Sequence, residues 1–147
     1  MNMKRFVQLC LSVLLLMGLA SPSWAEKSED TWEKVVFHLD EMTNARWALM
    51  LARSYLDDSP KAKIVFVAYG PGIDFLREDV KDKRGNPYDH AVFTLLDRGV
   101  EFRVCAGTLS ARKIPAENVL DAAVIVPSGV IDIVRLQTKE GYAYLKP

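Results

Sequence analysis

Past an apolar leader, short continuous apolar runs alternate with longer stretches whose apolar residues recur at helical spacing. Glu26 to Asp30 is charged and is expected to fray. Val35-Val36-Phe37-His38-Leu39 is an unbroken β-favouring run, the pattern of a strand buried on both faces of a parallel sheet. Thr43 is placed to cap a helix in which Ala45, Ala48, Leu49, Ala52 and Leu56 share one face, up to the break at Asp57-Asp58-Ser59-Pro60. Ile64 to Tyr69 is a second strand, ended by Gly70-Pro71-Gly72. That triplet reads as a turn, because it lacks the third glycine of a dinucleotide fingerprint and the Gly-Lys-Ser/Thr ending of a phosphate loop. Arg77 to Arg84 is charged everywhere except Val80, which predicts a solvated loop.

Asn86-Pro87, an apolar stripe of Tyr88, Ala91, Val92, Leu95 and Leu96, and then Gly99 give the start, face and stop of a helix. His90 falls on its polar side. Val100 to Cys105 is a third strand, Gly107 to Arg112 a short helix broken at Pro115, and Ala122 to Val126 a fourth strand stopped by Pro127. Ser128 can cap a helix carrying Val130, Ile131, Ile133 and Val134, which Gly141 ends before a final strand from Tyr142 to Leu145. Pro127-Ser128-Gly129 lacks the Gly-x-Ser-x-Gly elbow of a hydrolase serine, so capping explains Ser128 better. Five strands joined by helical crossovers predict a three-layer α/β/α domain with a mostly parallel five-stranded sheet. No repeat or linker interrupts residues 26–147, which read as one domain. In open sheets of this class, ligands and chemistry gather at the carboxyl ends of the strands.

The leader changes the compartment. Lys4 and Arg5 precede an apolar run from Phe6 to Ala20, and Ser23-Trp24-Ala25 offers small residues at the −3 and −1 positions, the layout of a secretory signal peptide over residues 1–25. This fifteen-residue run, broken only by Gln8, Cys10 and Ser12, falls short of the roughly 20 residues needed to span a bilayer, so no lasting membrane anchor is expected after cleavage. Leu9 stands where a lipoprotein site before Cys10 would need a small residue. The expected destination is the bacterial periplasm.

Charge and composition then remove classes of function. The 147 residues hold 19 Lys plus Arg against 19 Asp plus Glu with no dense basic cluster, which argues against nucleic acid as a partner. Two His and two Cys leave too little material for an all-protein zinc site, so neither metal nor cofactor is expected. With Cys10 in the leader, Cys105 is the single thiol of residues 26–147 and has no intramolecular disulfide partner, even in an oxidising compartment.

Cys105 is also the leading candidate for chemistry. It ends the third strand just before Ala106-Gly107 opens a helix, where free backbone N–H groups, those of Gly107 and Thr108 among them, favour a thiolate. From position alone a second reading stands beside this one, a small buried apolar cysteine with no chemistry. His38, ending strand one beside Asp40 and Glu41, is a possible acid or base at the same rim; a hydrogen-bonded histidine with no such role is the alternative. Trp32, Trp47, Tyr142 and Tyr144 read as core or subunit-contact residues before they read as a ligand box.

Glu101-Phe102-Arg103-Val104-Cys105, Thr108-Leu109-Ser110-Ala111-Arg112, the opening Lys34 to Leu39, Val126-Pro127-Ser128-Gly129-Val130 and the closing Glu140-Gly141-Tyr142-Ala143-Tyr144 together resemble the DsrE/DsrF-like family. The resemblance spans residues 26–147. It implies a five-stranded α/β/α fold, trimeric or hexameric assembly, and, as in the sulfur-relay members, a persulfide carried on Cys105 in exchange with a sulfur donor or acceptor protein. Relay members are generally cytoplasmic, whereas this chain opens with an export signal. The expected function is an exported sulfur carrier, a sulfurtransferase-type relay. The alternative is a non-enzymatic oligomeric module of the same fold that binds a small ligand or a partner.

Overall fold

The computed structural model describes residues 33–147; the expected signal peptide, the charged segment after it and Trp32 lie outside the described residues. Five strands, β1 (Lys34–Leu39), β2 (Lys63–Ala68), β3 (Glu101–Cys105), β4 (Ala123–Val126) and β5 (Ala143–Leu145), form one sheet in the order β4-β3-β2-β1-β5. Every pairing is parallel. The α-helices are α1 (Ala45–Asp58), α2 (Asp89–Leu96), α3 (Ala106–Ala111) and α4 (Gly129–Glu140). The α/β fold expected from the alternating pattern is the one observed.

The pleat divides the strands between two unequal cores. Phe37, Phe66 and Phe102, in register across β1, β2 and β3, stack on one face with ring centroids 4.9 and 5.0 Å apart. Ala48, Leu49, Ala52 and Leu56 of α1, with Val92 and Leu95 of α2, cover them. On the other face Val36, Val65 and Val67 meet only Ile133 and Leu136 of α4, flanked by Tyr69 and Tyr142.

Several local expectations shift. Gly70-Pro71-Gly72 opens a 3-10 helix over Gly70–Leu76, longer than a turn because Ile73, Phe75 and Leu76 are drawn into the larger core. Asn86 does not cap α2: its N–H and side-chain amide bond the Asp82 carboxylate, its carbonyl accepts from Arg46, and the helix begins at Asp89. A 3-10 turn at Met42–Asn44 precedes α1, and Thr43 makes no cap. Ser128 does cap α4, its Oγ accepting from the Ile131 N–H at 3.4 Å, and Gly141 ends it at φ +75°. Of the apolar residues that α4 carries, Val130, Ile131 and Val134 are exposed.

Candidate functional site

Cys105 occupies the last position of β3 and is also the N-cap of α3, at φ −73°, ψ 115°. The chain leaves an extended strand and enters a helix without an intervening loop, so the first N–H groups of α3 have no helical partner and face the sulfur. On β4, Val126 lies in register with Cys105, and the chain there turns through Pro127 into α4. Two helices thus begin beside one thiol. Gly129, the first residue of α4, makes this approach possible: a Cβ there would lie 3.3 Å from Cys105 Cβ and 3.3 Å from Tyr69 Cδ1.

The thiol is 9% exposed and unpaired. Burial is the largest single influence on its titration and pushes it up. Against burial act the Gly129 N–H, the N–H and hydroxyl of Thr108 and the Gly107 N–H, and together they hold the thiol below its ordinary value. The Thr108 hydroxyl oxygen accepts from the Gly70 N–H at 3.0 Å, which leaves its own proton for the sulfur. Arg112, the C-cap of α3, donates to the Gly70 carbonyl at 3.1 Å and to the Asp74 carboxylate at 3.0 Å. Both backbone groups of Gly70 therefore tie α3 to the loop after β2. That residue sits at φ +54°, a conformation glycine reaches without strain.

Cys105, Gly107 and Thr108, the residues picked from the sequence, thus form one cluster. His38 stands apart from it. It is 6% exposed, its Nδ1 shares a 2.6 Å hydrogen bond with the Tyr144 hydroxyl, and its Nε2 is buried without a partner. Burial, opposed by Asp40 and aided by Lys146, lowers its pKa, so the ring is neutral at pH 7. The Tyr69 ring stacks on His38 at 4.6 Å between centroids. It also packs against Gly129, so Tyr69 lies between the histidine and the helix start that serves the sulfur. Burial, then the Asp40 carboxylate, raises the Tyr69 phenol. Asp40 itself is paired with Lys146, which holds its carboxyl low. Glu41 and His90 are exposed and belong to neither group. Among the described residues no cluster of three or more His, Cys, Asp or Glu is arranged to hold a metal.

The DsrE/DsrF-like family model matches residues 34–147. The chain belongs to the DsrE/DsrF-like family. Among solved structures this family member is similar to MTH1491, a protein of unknown function from Methanobacterium thermoautotrophicum, at 35% identity and a TM-score of 0.70 over 78% of this chain and 99% of that one. The ychN protein from E. coli shares the fold at 12% identity and a TM-score of 0.64, over 78% of this chain and 99% of that one. So does the conserved protein of unknown function BT1422 from Bacteroides thetaiotaomicron, at 13% and 0.58, over 78% and 95%. No curated protein matches the chain.

The DsrE/DsrF-like fold places groups that sequence reasoning passed over. In the sequence Tyr69 ends a strand and Gly129 lies in a segment that carries the family resemblance; in the fold they form the wall beside Cys105. No local pattern marks them, since their meeting depends on the register of β2 with β3 and on the path of α4.

Proposed function

We propose that this chain is an exported carrier of sulfane sulfur that receives and passes one sulfur atom through a persulfide on Cys105. The observation that carries the reading is the place of Cys105 at the carboxyl edge of the sheet, where two helices begin, with Gly129 packed on its Cβ and the Gly107, Thr108 and Gly129 N–H groups and the Thr108 hydroxyl favouring its thiolate. In the loading step the Cys105 thiolate attacks the outer sulfur of a donor persulfide. A Cys105 S–S bond forms, the donor's S–S bond breaks, and the donor leaves as a thiolate. In unloading, an acceptor thiolate attacks that same outer sulfur and Cys105 departs as the thiolate. A lowered thiol pKa serves both directions, by populating the nucleophile and by improving the leaving group. No external oxidant or reductant is needed.

The test is intact mass after exposure to a small persulfide donor. One added sulfur should be present on the parent, vanish on treatment with a thiol reductant, and be absent from a folded Cys105→Ser variant. A folded parent that takes up no sulfur from any donor class would overturn the reading. Export rests on the leader: protein recovered from the periplasmic fraction should begin at Glu26, whereas membrane-embedded full-length chain would contradict it.

A second reading, an oligomeric binding or assembly module, is favoured by one surface. Val124 and Ile125 on the edge strand β4 and Val130, Ile131 and Val134 on α4 are exposed apolar side chains close together in sequence. Such residues are usually covered when copies associate. Light scattering should give a trimer or hexamer, with or without sulfur chemistry; a monomer at micromolar concentration would remove the assembly reading.

A further inference from the structure

The side of the sheet that carries Cys105 has an uneven grip on its helix. The apolar residues packed under it, Val36, Val65 and Val67, lie on β1 and β2, while on β4 Val126 is buried beside Cys105 and Val124 is exposed. On β3 the positions facing the same way are Glu101, Arg103 and Cys105, because Val65 pairs with Glu101 and Val67 with Arg103. Of these only Cys105 meets α4 without charge, through its Cβ beside Gly129. The rest of the contact is ionic. Asp132, 3% exposed, accepts from Arg103 Nη1 at 2.9 Å and from Arg135 Nη2, while the Arg103 Nε and Nη2 donate to Glu101.

We propose that the Arg103–Asp132 ion pair is a positioning device that holds the first turn of α4 against β3, so that the Gly129 N–H stays aimed at the Cys105 sulfur. Arg103 and Cys105 are two residues apart on the strand and leave the same face. Gly129 and Asp132 are three apart on the helix and share its inner side. The ion pair and the Cys105–Gly129 contact are thus neighbouring rungs between one strand and one helix, and fixing the first fixes the second. Apolar packing is non-directional and tolerates sliding along the helix axis, whereas a guanidinium on a carboxylate does not. A buried ion pair adds little stability compared with an apolar pair of similar volume, so stability alone does not account for this one. The other charged groups on the pair are Glu101 from β3, bound to Arg103, and Arg135 from α4, bound to Asp132, while the Tyr142 phenol ahead of β5 feels Glu101, Glu140 and Arg103. This inference rests on the proposed function only in taking Cys105 as the reacting group.

The measurement is the pH dependence of Cys105 alkylation, read on the Cys105 peptide by mass spectrometry in the parent, in Asp132→Asn and in Arg103→Met combined with Asp132→Leu. Field effects and positioning predict opposite signs. Asp132→Asn removes a negative charge near the sulfur and leaves Arg103 with Glu101 as its one carboxylate, so through-space electrostatics alone would move the alkylation midpoint down. Loss of positioning moves it up in both variants, by half a pH unit or more, which at a fixed pH below the midpoint is a three-fold or greater loss of rate. Arg135→Ala, which leaves Arg103 on Asp132, should keep the parent midpoint. Circular dichroism and thermal unfolding confirm that each variant is folded. If the double variant does not fold, Asp132→Asn decides alone. An unchanged or lowered midpoint in a folded variant overturns the proposal. A Cys105 that accepts no sulfur would sink the proposed function and leave this inference standing, since alkylation reads the thiol itself.

Discussion

The two faces of the sheet are built from the same five strands and do different work. One carries stacked phenylalanines under α1 and α2, with the 3-10 segment Gly70–Leu76 adding Phe75 against Phe66 and Phe102. The other has three buried valines under Ile133 and Leu136 of one helix. Among the described residues the two buried polar side chains, His38 and Asp132, both lie on this thinner side, and Cys105 ends a strand on it. Buried polar groups cost stability unless they are paired, and here one His nitrogen has no partner at all. A domain can hold such groups because the opposite face supplies apolar burial to offset them. The division teaches where to look for each property: cohesion on the phenylalanine side, buried polar groups and the proposed site under α4.

The comparison can be broken most severely on the phenylalanine side. Phe66→Ala removes a fully buried ring that stacks on Phe37 and Phe102, and should cost about 3–5 kcal/mol of unfolding free energy in urea titration. Cys105 reactivity in whatever fraction stays folded should be that of the parent. A loss below 1 kcal/mol would show that the phenylalanines are not the chief source of cohesion.

Gly129→Ala probes the thinner side with a smaller expected cost, about 1–3 kcal/mol, because the new methyl meets Cys105 Cβ and the Tyr69 ring at 3.3 Å. Its larger signature should be chemical. The Gly129 N–H is pushed off the sulfur and the alkylation midpoint of Cys105 rises; a midpoint equal to the parent's would remove Gly129 from the site. Thr108→Val should act the same way more weakly, raising the midpoint by removing one hydroxyl donor while the backbone donors remain.

The smallest effect concerns His38. Its folded pKa is lowered, so the unfolded chain takes up the proton first as pH falls. The stability contributed by keeping the ring neutral is complete above the unfolded value of about 6.5 and is lost as pH drops through the folded pKa. Urea midpoints measured from pH 7.5 to 5.5 should decline in the parent and less steeply in His38→Gln. Parallel slopes would place the acid sensitivity elsewhere.

Much of the fold was legible because each strand is a short apolar run set off by charge, glycine or proline. What the runs do not reveal is which face each residue joins. In Val35 to Leu39 nearly every residue is apolar, so Phe37 and Val36 look alike in sequence although they serve different cores. The candidate site was half legible. A cysteine between a strand and a helix is visible locally, and so are Gly107 and Thr108 behind it. Tyr69 and Gly129 reach the sulfur only through tertiary register, and His38 is kept from it by Tyr69, a relation that spacing does not encode. Asp132 left a faint mark, a single acid inside the run Val130 to Val134, as did Arg103 inside Phe102 to Cys105. Neither position shows by itself that the two side chains meet.

The strand order carries a kinetic consequence. β1 sits between β2 and β5, and the His38–Tyr144 bond that seals that seam joins residues 106 positions apart. Closing so long a loop costs little at equilibrium, since each doubling of length adds only about 0.6 kcal/mol. In time it costs more. During synthesis β1 through β4 can pair in the order they emerge, while the outer edge of β1 waits with its backbone groups bare until the last strand arrives. The interval before β5 docks is therefore when a nascent chain is most exposed to pairing with the wrong strand, and the contacts around His38 are the last part of the rim to form.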